Sequence, residues 1–361
     1  MSTAGSTRSA RPLRTSDFGL SGGRSASSLV YMDRWLANER LVRVSALLGA
    51  VAIAFSSILV RLSHASPSTA AIFRCAFALP ILGVLAWLED RRFGARSWSD
   101  RRVAIGAGVF FAADLILWHH SIDDVGAGLA TVLANIQVVI VPLVAWAVLS
   151  ERPSRRVLAA LPIALLGVLL ISGVLEHGAY GRAPGRGAAF GLGAGLAYVG
   201  FLLLLRRSGT DLRRVAGPLF EATAIATLCA VVAGLIIGDA DLTPGWPGVG
   251  WLIVLALTSQ VIGWLLITTS LPRLPAAITS LTLTVQPVGS VALGVLILSE
   301  APTGLQLVGV AIVLAAVITA TAPRVRALPE QVLRLRADNS RRTGSVVGAD
   351  VPVGAAHDDH G

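Results

Sequence analysis

"LSERP" (Leu149–Pro153) closes one long apolar run, and "LSEAP" (Leu298–Pro302) closes another 149 residues later. Carrying that offset backwards aligns Leu117 with Leu266, Ser121 with Ser270, Ala127 with Ala276, Gln137 with Gln286 and Glu151 with Glu300, without a gap. The match covers a helix, a turn and the next helix. Beyond each Glu, small residues recur at Ala160 and Gly167 in one half and at Gly309 and Ala316 in the other. The members of each pair are seven residues apart, two helical turns, so they share a face that admits close helix approach. The simplest reading of Glu151 and Glu300 is a duplicated helix terminator, with the carboxylate capping the helix that begins after the proline.

Composition says what kind of chain carries this duplication. Of 361 residues 54% are hydrophobic and only 14% are charged, against about 25% charged in an ordinary soluble domain; mean hydropathy is +0.72. Ten uncharged or nearly uncharged stretches, at about 44–60, 68–88, 103–121, 126–149, 157–175, 188–205, 217–237, 249–270, 275–298 and 304–322, are long enough to cross a hydrocarbon core as helices. A membrane barrel would instead show shorter, alternating segments. The expected fold is therefore an all-α polytopic membrane protein.

Charge placement tests the span count independently. The basic residues are 30 arginines with no lysine. With both termini cytoplasmic, the inside segments hold 7, 5, 3, 4, 1 and 6 of them, the outside loops hold only Arg61, Arg182 and Arg186, and Arg74 lies within a span. This is the positive-inside asymmetry, and omitting a span would reverse it downstream. The pI of about 11.1 then reflects cytoplasmic loops lying near anionic lipid, and no nucleic-acid-binding module accompanies it. The first Glu follows the fourth span and the second follows the ninth, so the halves are inverted: two five-helix repeats, 44–175 and 188–322, between polar tails at 1–43 and 323–361 that read as disordered. Inverted repeats enclosing a midplane site are a transporter architecture.

The halves resemble two copies of the EamA domain of the drug/metabolite transporter superfamily. Arg74 in "IFRCAFALP" matches the Arg of that repeat's second helix, Pro287 with Glu300 match its fourth-helix Pro and terminal Glu, and Glu151 with Gly167 repeat the ending in the first half. Two positions depart. Val138 fills the first-half proline position, with Pro142 one turn later, and the second-half intramembrane Arg is replaced by Glu221 or a neighbour. The resemblance implies a ten-helix permease of the cytoplasmic membrane exporting amino acids or related small metabolites and drugs by alternating access; uptake, or a non-transporting membrane protein, are the alternatives.

Charged residues inside spans are costly and therefore informative. Arg74 and Asp114 each sit about seven residues from the outer ends of their spans, roughly 10 Å deep at 1.5 Å per residue, placed either to pair with each other or to meet a substrate carboxylate and an amine or proton. Thr131 and Asn135 share one helix face, and Ser280 and Thr284 repeat it in the second half. Trp118, Tyr198 and Trp264 are candidate aromatic walls. Gln137 and Gln286 fall on a different face and suit packing between halves. Candidates for proton coupling are Asp114, His119, His120 and Glu221; hinge candidates are Pro142 and Pro287. Cys75 and Cys229 both fall within spans and suggest neither a disulfide nor a metal site. No Walker loop, G-x-S-x-G or H-E-x-x-H is present, so no cofactor, metal or enzymatic role is expected; the partners are lipid, a small-molecule substrate and protons.

Overall fold

The computed structural model describes residues 39–149, 155–208, 211, 213–270 and 276–321. Glu151 and most of both tails lie outside the described residues, as do the side chains of Pro142, Ser280 and Thr284. Every regular element described is helical. In chain order these are α1 (Glu39–Ala54), α2 (Ser56–Ser63), α3 (Pro67–Ala76), α4 (Leu79–Phe93), α5 (Trp98–Val125), α6 (Ala127–Ala134), α7 (Gln137–Leu149), α8 (Arg155–Ile171), α9 (Pro184–Ser208), α10 (Ala216–Ile237), α11 (Gly248–Leu255), a π-helical segment (Ala256–Gly263), α12 (Trp264–Ser270), α13 (Ala276–Leu298) and α14 (Gly304–Thr321).

Six apolar helical stretches are long enough to cross a membrane: Arg40–Ser63, Pro67–Phe93, Trp98–Val125, Pro184–Leu205, Ala216–Ile237 and Gly248–Ser270; shorter apolar helices cover Leu158–Ile171, Val285–Leu298 and Gly304–Thr319. The first helix already includes Arg40 and Arg43, which by polarity belong to the tail at 1–43. Loss of apolarity marks where hydrocarbon ends, whereas the helix itself continues into the interface. Val84, Trp87, Leu196, Leu228, Leu235 and Ile236 point outward, while Ser57, Ser68, Thr69, Arg74, Asp114 and Gln260 are buried. Such an outside suits lipid rather than water.

Three stretches read as continuous from sequence are broken: between α1 and α2 at Phe55, between α3 and α4 at Phe77–Ala78, and between α6 and α7 at Asn135–Ile136. At the last, the N–H of Ile136 bonds the Leu133 carbonyl and that of Val139 bonds Ile136, tightened i→i+3 steps that turn the following face. Starts are capped as their sequences suggest. Ser66 accepts from Thr69 N–H ahead of Pro67 in the first turn of α3, and Ser97 accepts from Asp100 N–H at the head of α5.

Helices from the two halves pack as antiparallel counterparts. Along α3–α4 and α10, Ser68 meets Gly234 and Gly83 meets Phe220. Along α8 and α14, Gly167 meets Gly309 and Val313 while Ile171 meets Gly309. The start of α6 lies against Val291 and Gly294 near the end of α13. Neighbours outside these pairs are duplicated too: α5 lies along α9, with Gly193 on Leu117 and Gly200 on Phe110, and α1 lies along the π segment and α12, with Gly49 on Ile267 and Gly263 on Ile53. Each counterpart pair thus runs in opposed directions, the relation expected of an inverted repeat.

The small-residue face read from sequence is the contact between α8 and α14. Ala160 and Ala316 are buried, and Gly167 and Gly309 each bring a backbone against the other's carbonyl. A Cβ at Gly167 would lie 2.7 Å from Val313 and 2.8 Å from the Gly309 oxygen. Lipid gives helices no hydrophobic drive to associate, so such close packing is what holds them. Gly167→Val is expected to destabilise the folded protein by about 2 kcal/mol through overpacking, read as a lowered melting temperature in detergent; an unchanged melting point would contradict the packing described.

Charge clusters sit at opposite ends of the 28-residue α5. At its start, Arg96 pairs with Glu221 at 2.5 Å and Arg101 with Asp90 at 3.1 Å, while Glu89 accepts from the N–H groups of Val215, Ala216 and Gly217 and so caps α10. Nearby, hydrogen bonds from Arg213 pull the Asp211 carboxyl down to about 2. At its other end, Arg182 bonds Asp123 and Asp124, Arg186 bonds Asp124 through two nitrogens, and Arg61 stands 3.5 Å from Asp123. The three arginines assigned to outside loops from sequence therefore gather on one acidic pair.

Glu300 corrects the expected capping. It is buried and does not cap α14, the helix that follows its proline. Its two oxygens accept from Ala127 N–H at 2.5 Å and Gly128 N–H at 3.1 Å, at the head of α6 in the opposite half. The chain doubles back to reach there: Ser299 adopts a left-handed conformation with φ 54°, and the Glu300 N–H bonds the Gly294 carbonyl. Sequence proximity suggested a local cap, but antiparallel packing of α6 on α13 brings a closer helix N-terminus.

Candidate substrate cleft

Between the halves lies a cleft of about 530 Å³, including its open mouth, with Arg74, Asp114, Trp118, Thr131, Asn135, Tyr198 and Trp264 in its wall. α3 supplies Arg74, α5 supplies Asp114 and Trp118, α6 with its C-terminal cap supplies Thr131 and Asn135, α9 supplies Tyr198 and α12 supplies Trp264. Seven of the residues selected from sequence as substrate contacts therefore converge. The side chains of the other two, Ser280 and Thr284, lie outside the described residues.

Arg74 and Asp114 are both buried and share the cleft, yet no ion pair joins them among the described residues. Of the two arrangements open from sequence, direct pairing is therefore not the one the structure adopts, and the two side chains stand apart in one cleft. Arg74 donates from Nε to Gln260 Oε1 at 3.1 Å, its guanidinium carbon stands 5.7 Å from the Trp118 ring centroid, and its Nη1 is buried without a partner. Trp264 Nε1 and Gln137 Oε1 are likewise buried and unpartnered. Three such groups facing one cleft are unusual, because buried polar groups are normally satisfied; together they offer a cationic donor, a neutral donor and an acceptor to a ligand. Thr131 and Asn135 turn their donors back to the carbonyls of Ala127 and Thr131, leaving acceptor capacity free.

The apolar wall is aromatic. Phe111 stacks on Phe201 at 4.3 Å, and Trp264 packs edge-on to Phe201 at 5.3 Å and to Phe111 at 6.0 Å. Gln137 and Gln286 also line the cleft; sequence had assigned them to packing between halves. The tightened turn at Asn135–Ile136 rotates Gln137 away from where an unbroken helix would place it.

Other candidates fall elsewhere. His119 is buried with Nδ1 3.0 Å from the Pro67 carbonyl and Nε2 unpartnered, and it lines a second cleft with Arg61, Asp123, Tyr180 and Glu300. His120 stands 3.9 Å from Asp239 and packs on Phe190. Glu221 lies in the Arg96–Arg101 cluster, at the far end of α5 from the acidic pair Asp123–Asp124. At the repeat offset the counterpart of Arg74 is Thr223, whose hydroxyl accepts from Gln260 Nε2 at 3.1 Å. Pro287 lies within α13, and Pro142 falls within the bounds of α7. Among the described residues no group of three or more His, Cys, Asp or Glu side chains could hold a metal ion.

The sequence matches the model of the EamA-like transporter family twice, over residues 41–173 and 185–322. The chain belongs to the EamA-like transporter family. Membership makes it a multi-pass membrane transporter, and the two matched segments are the antiparallel halves described above. A solved structure titled "Crystal structure of protein" shares the fold, with a TM-score of 0.51 at 15% identity over 80% of this chain and 99% of that one. No curated protein matches significantly. Within this EamA-like chain, sequence reasoning missed Phe111, which lines the cleft, and Gln260, which bonds Arg74 and has neither charge nor a repeat signature.

Proposed function

We propose that the protein is a secondary transporter whose ten helical stretches cross the cytoplasmic membrane with both termini inside, as two inverted repeats at about 44–175 and 188–322. It exports amino acids or closely related small metabolites by alternating access coupled to protons. The carrying observation is the buried, unpaired Arg74 and Asp114 in one aromatic cleft. A ligand bearing both a carboxylate and an ammonium satisfies both charges at once. An apolar side chain on that ligand would lie against Trp118, Phe111 and Trp264. The segregation of arginines supports the orientation, and Asp114, the one carboxylate in the cleft wall among the described residues, is the group we assign to exchange a proton or an ammonium during the cycle.

The test is flux of labelled L-amino acids in proteoliposomes, with and without an imposed pH gradient. Proton-coupled export predicts concentrative movement that collapses with the gradient. Asp114→Asn is expected to leave a downhill flux that no longer responds to the gradient, because the amide accepts no proton at working pH. Flux equal to that of protein-free vesicles for every amino acid would overturn the assignment.

A further inference from the structure

The eighth hydrophobic stretch does not run as one α-helix. Between Ala256 and Gly263 it widens into a π-helical segment, in which the Trp264 N–H bonds the Ser259 carbonyl, an i→i+5 step. The widened turn sends two successive polar residues to different neighbours. Ser259 donates to the Ala52 carbonyl on α1 at 3.0 Å, and Gln260 turns to α3 and α10. Gln260 is fully buried, and both ends of its amide are used: Oε1 accepts from Arg74 Nε and Nε2 donates to Thr223 Oγ1. Short π segments within α-helices frequently mark functional sites.

We propose that Gln260 is a positioning residue for substrate recognition: held by the π segment and Thr223, it fixes the Arg74 guanidinium so that the Nη edge meets the substrate carboxylate. This inference rests on the reading of Arg74 as the carboxylate-binding group. The chemistry of the partner is what matters. The long rotatable arginine stem leaves its guanidinium free to swing or roll; one bond at Nε, with Trp118 close by, restricts that freedom before the ligand arrives, and preorganisation of this kind lowers the cost of binding. A carboxylate at position 260 would hold the arginine equally well but would also pair with its charge. A neutral amide orients Arg74 and leaves the charge for the ligand. The unpartnered Nη1 is the donor so presented.

The experiment compares wild type, Arg74→Gln, Gln260→Leu, Gln260→Glu and Thr223→Val in proteoliposomes, measuring flux of L-phenylalanine and of L-phenylalaninamide, which lacks the carboxylate. Gln260→Leu is expected to raise KM for phenylalanine about 10-fold, the loss of one bond to a charged group, with maximal rate within about twofold of wild type. Gln260→Glu is expected to raise it about 100-fold by adding a competing charge, and Thr223→Val to raise it about threefold. None should change KM for the amide. Melting temperatures within a few degrees of wild type check folding, and Gln260→Glu, which keeps the size and the acceptor, guards against a folding defect in Gln260→Leu. If Arg74→Gln raises KM for phenylalanine while both Gln260 variants leave it unchanged, the positioning role is overturned and the carboxylate site stands. If wild type carries neither phenylalanine nor any other amino acid, or Arg74→Gln carries the transported acid as wild type does, the carboxylate-site reading fails and this inference falls with it.

Discussion

Arg74→Gln is expected to lower the rate of amino-acid transport at low substrate by about 10²- to 10³-fold, the effect of truncating one partner of a buried, hydrogen-bonded charge pair. The side chain is 3% exposed, so a bound carboxylate would interact with it in a medium that screens far less than water. Three losses coincide in the substitution: the charge, the planar two-nitrogen edge that matches a carboxylate, and the contact with Trp118. The defect should depend on the ligand. Amino-acid amides, already lacking the carboxylate, should lose little, and Arg74→Lys should restore only part of the rate, since an ammonium returns the charge without the fork. Steady-state flux at substrate concentrations well below KM reads this most directly. An equal loss for acid and amide would instead make Arg74 a structural cation.

Much of this site was legible because the membrane makes polarity conspicuous. Arg74 and Asp114 stand out in apolar spans, Thr131 and Asn135 form a stripe, and all four line the cleft. The repeat was legible because it leaves a register, and Glu300 with the Gly167–Gly309 contact lies on it. Two features escaped for one shared reason: they depend on departures from ideal helical rotation. Gln137 was assigned to the wrong face because the turn at Asn135–Ile136 is invisible to a 100° count. Gln260 went unnoticed because nothing in "ALTSQVIG" announces a π segment. Whether Arg74 and Asp114 touch stayed open for another reason, since similar depth does not report the angle between two helices. Glu300 escaped for a different reason, since its partners lie 173 and 172 residues away and only the antiparallel pairing of α6 with α13 brings them together.

That long-range cap makes the second large effect. Glu300→Ala would leave the Ala127 and Gly128 N–H groups buried with no acceptor, at a helix start whose first turn has no internal partners. Losing a buried carboxylate bonded to two peptide donors costs about 3 kcal/mol, a large part of what holds a marginally stable fold together. The site has no slack with which to recover: a Cβ at Gly294 would lie 2.3 Å from a Glu300 oxygen, and one at Gly126 2.6 Å from the other, so both glycines exist in a space shaped around the carboxylate. Water entering from the second cleft, which Glu300 lines with Tyr180 and His119, would be the replacement acceptor, and the head of α6 would fray toward it. Hydrogen exchange should therefore accelerate about 100-fold at Ala127 to Leu129, the factor that about 3 kcal/mol of lost protection implies, while α8 against α14 keeps its protection. Glu300→Gln is expected to fall between, because its carbonyl can still accept one bond while its amide nitrogen faces the other donor. If the head of α6 exchanges as slowly in Glu300→Ala as in wild type, the carboxylate is not what closes that end, and the duplicated "LSE-x-P" ending is only a chain terminator after all.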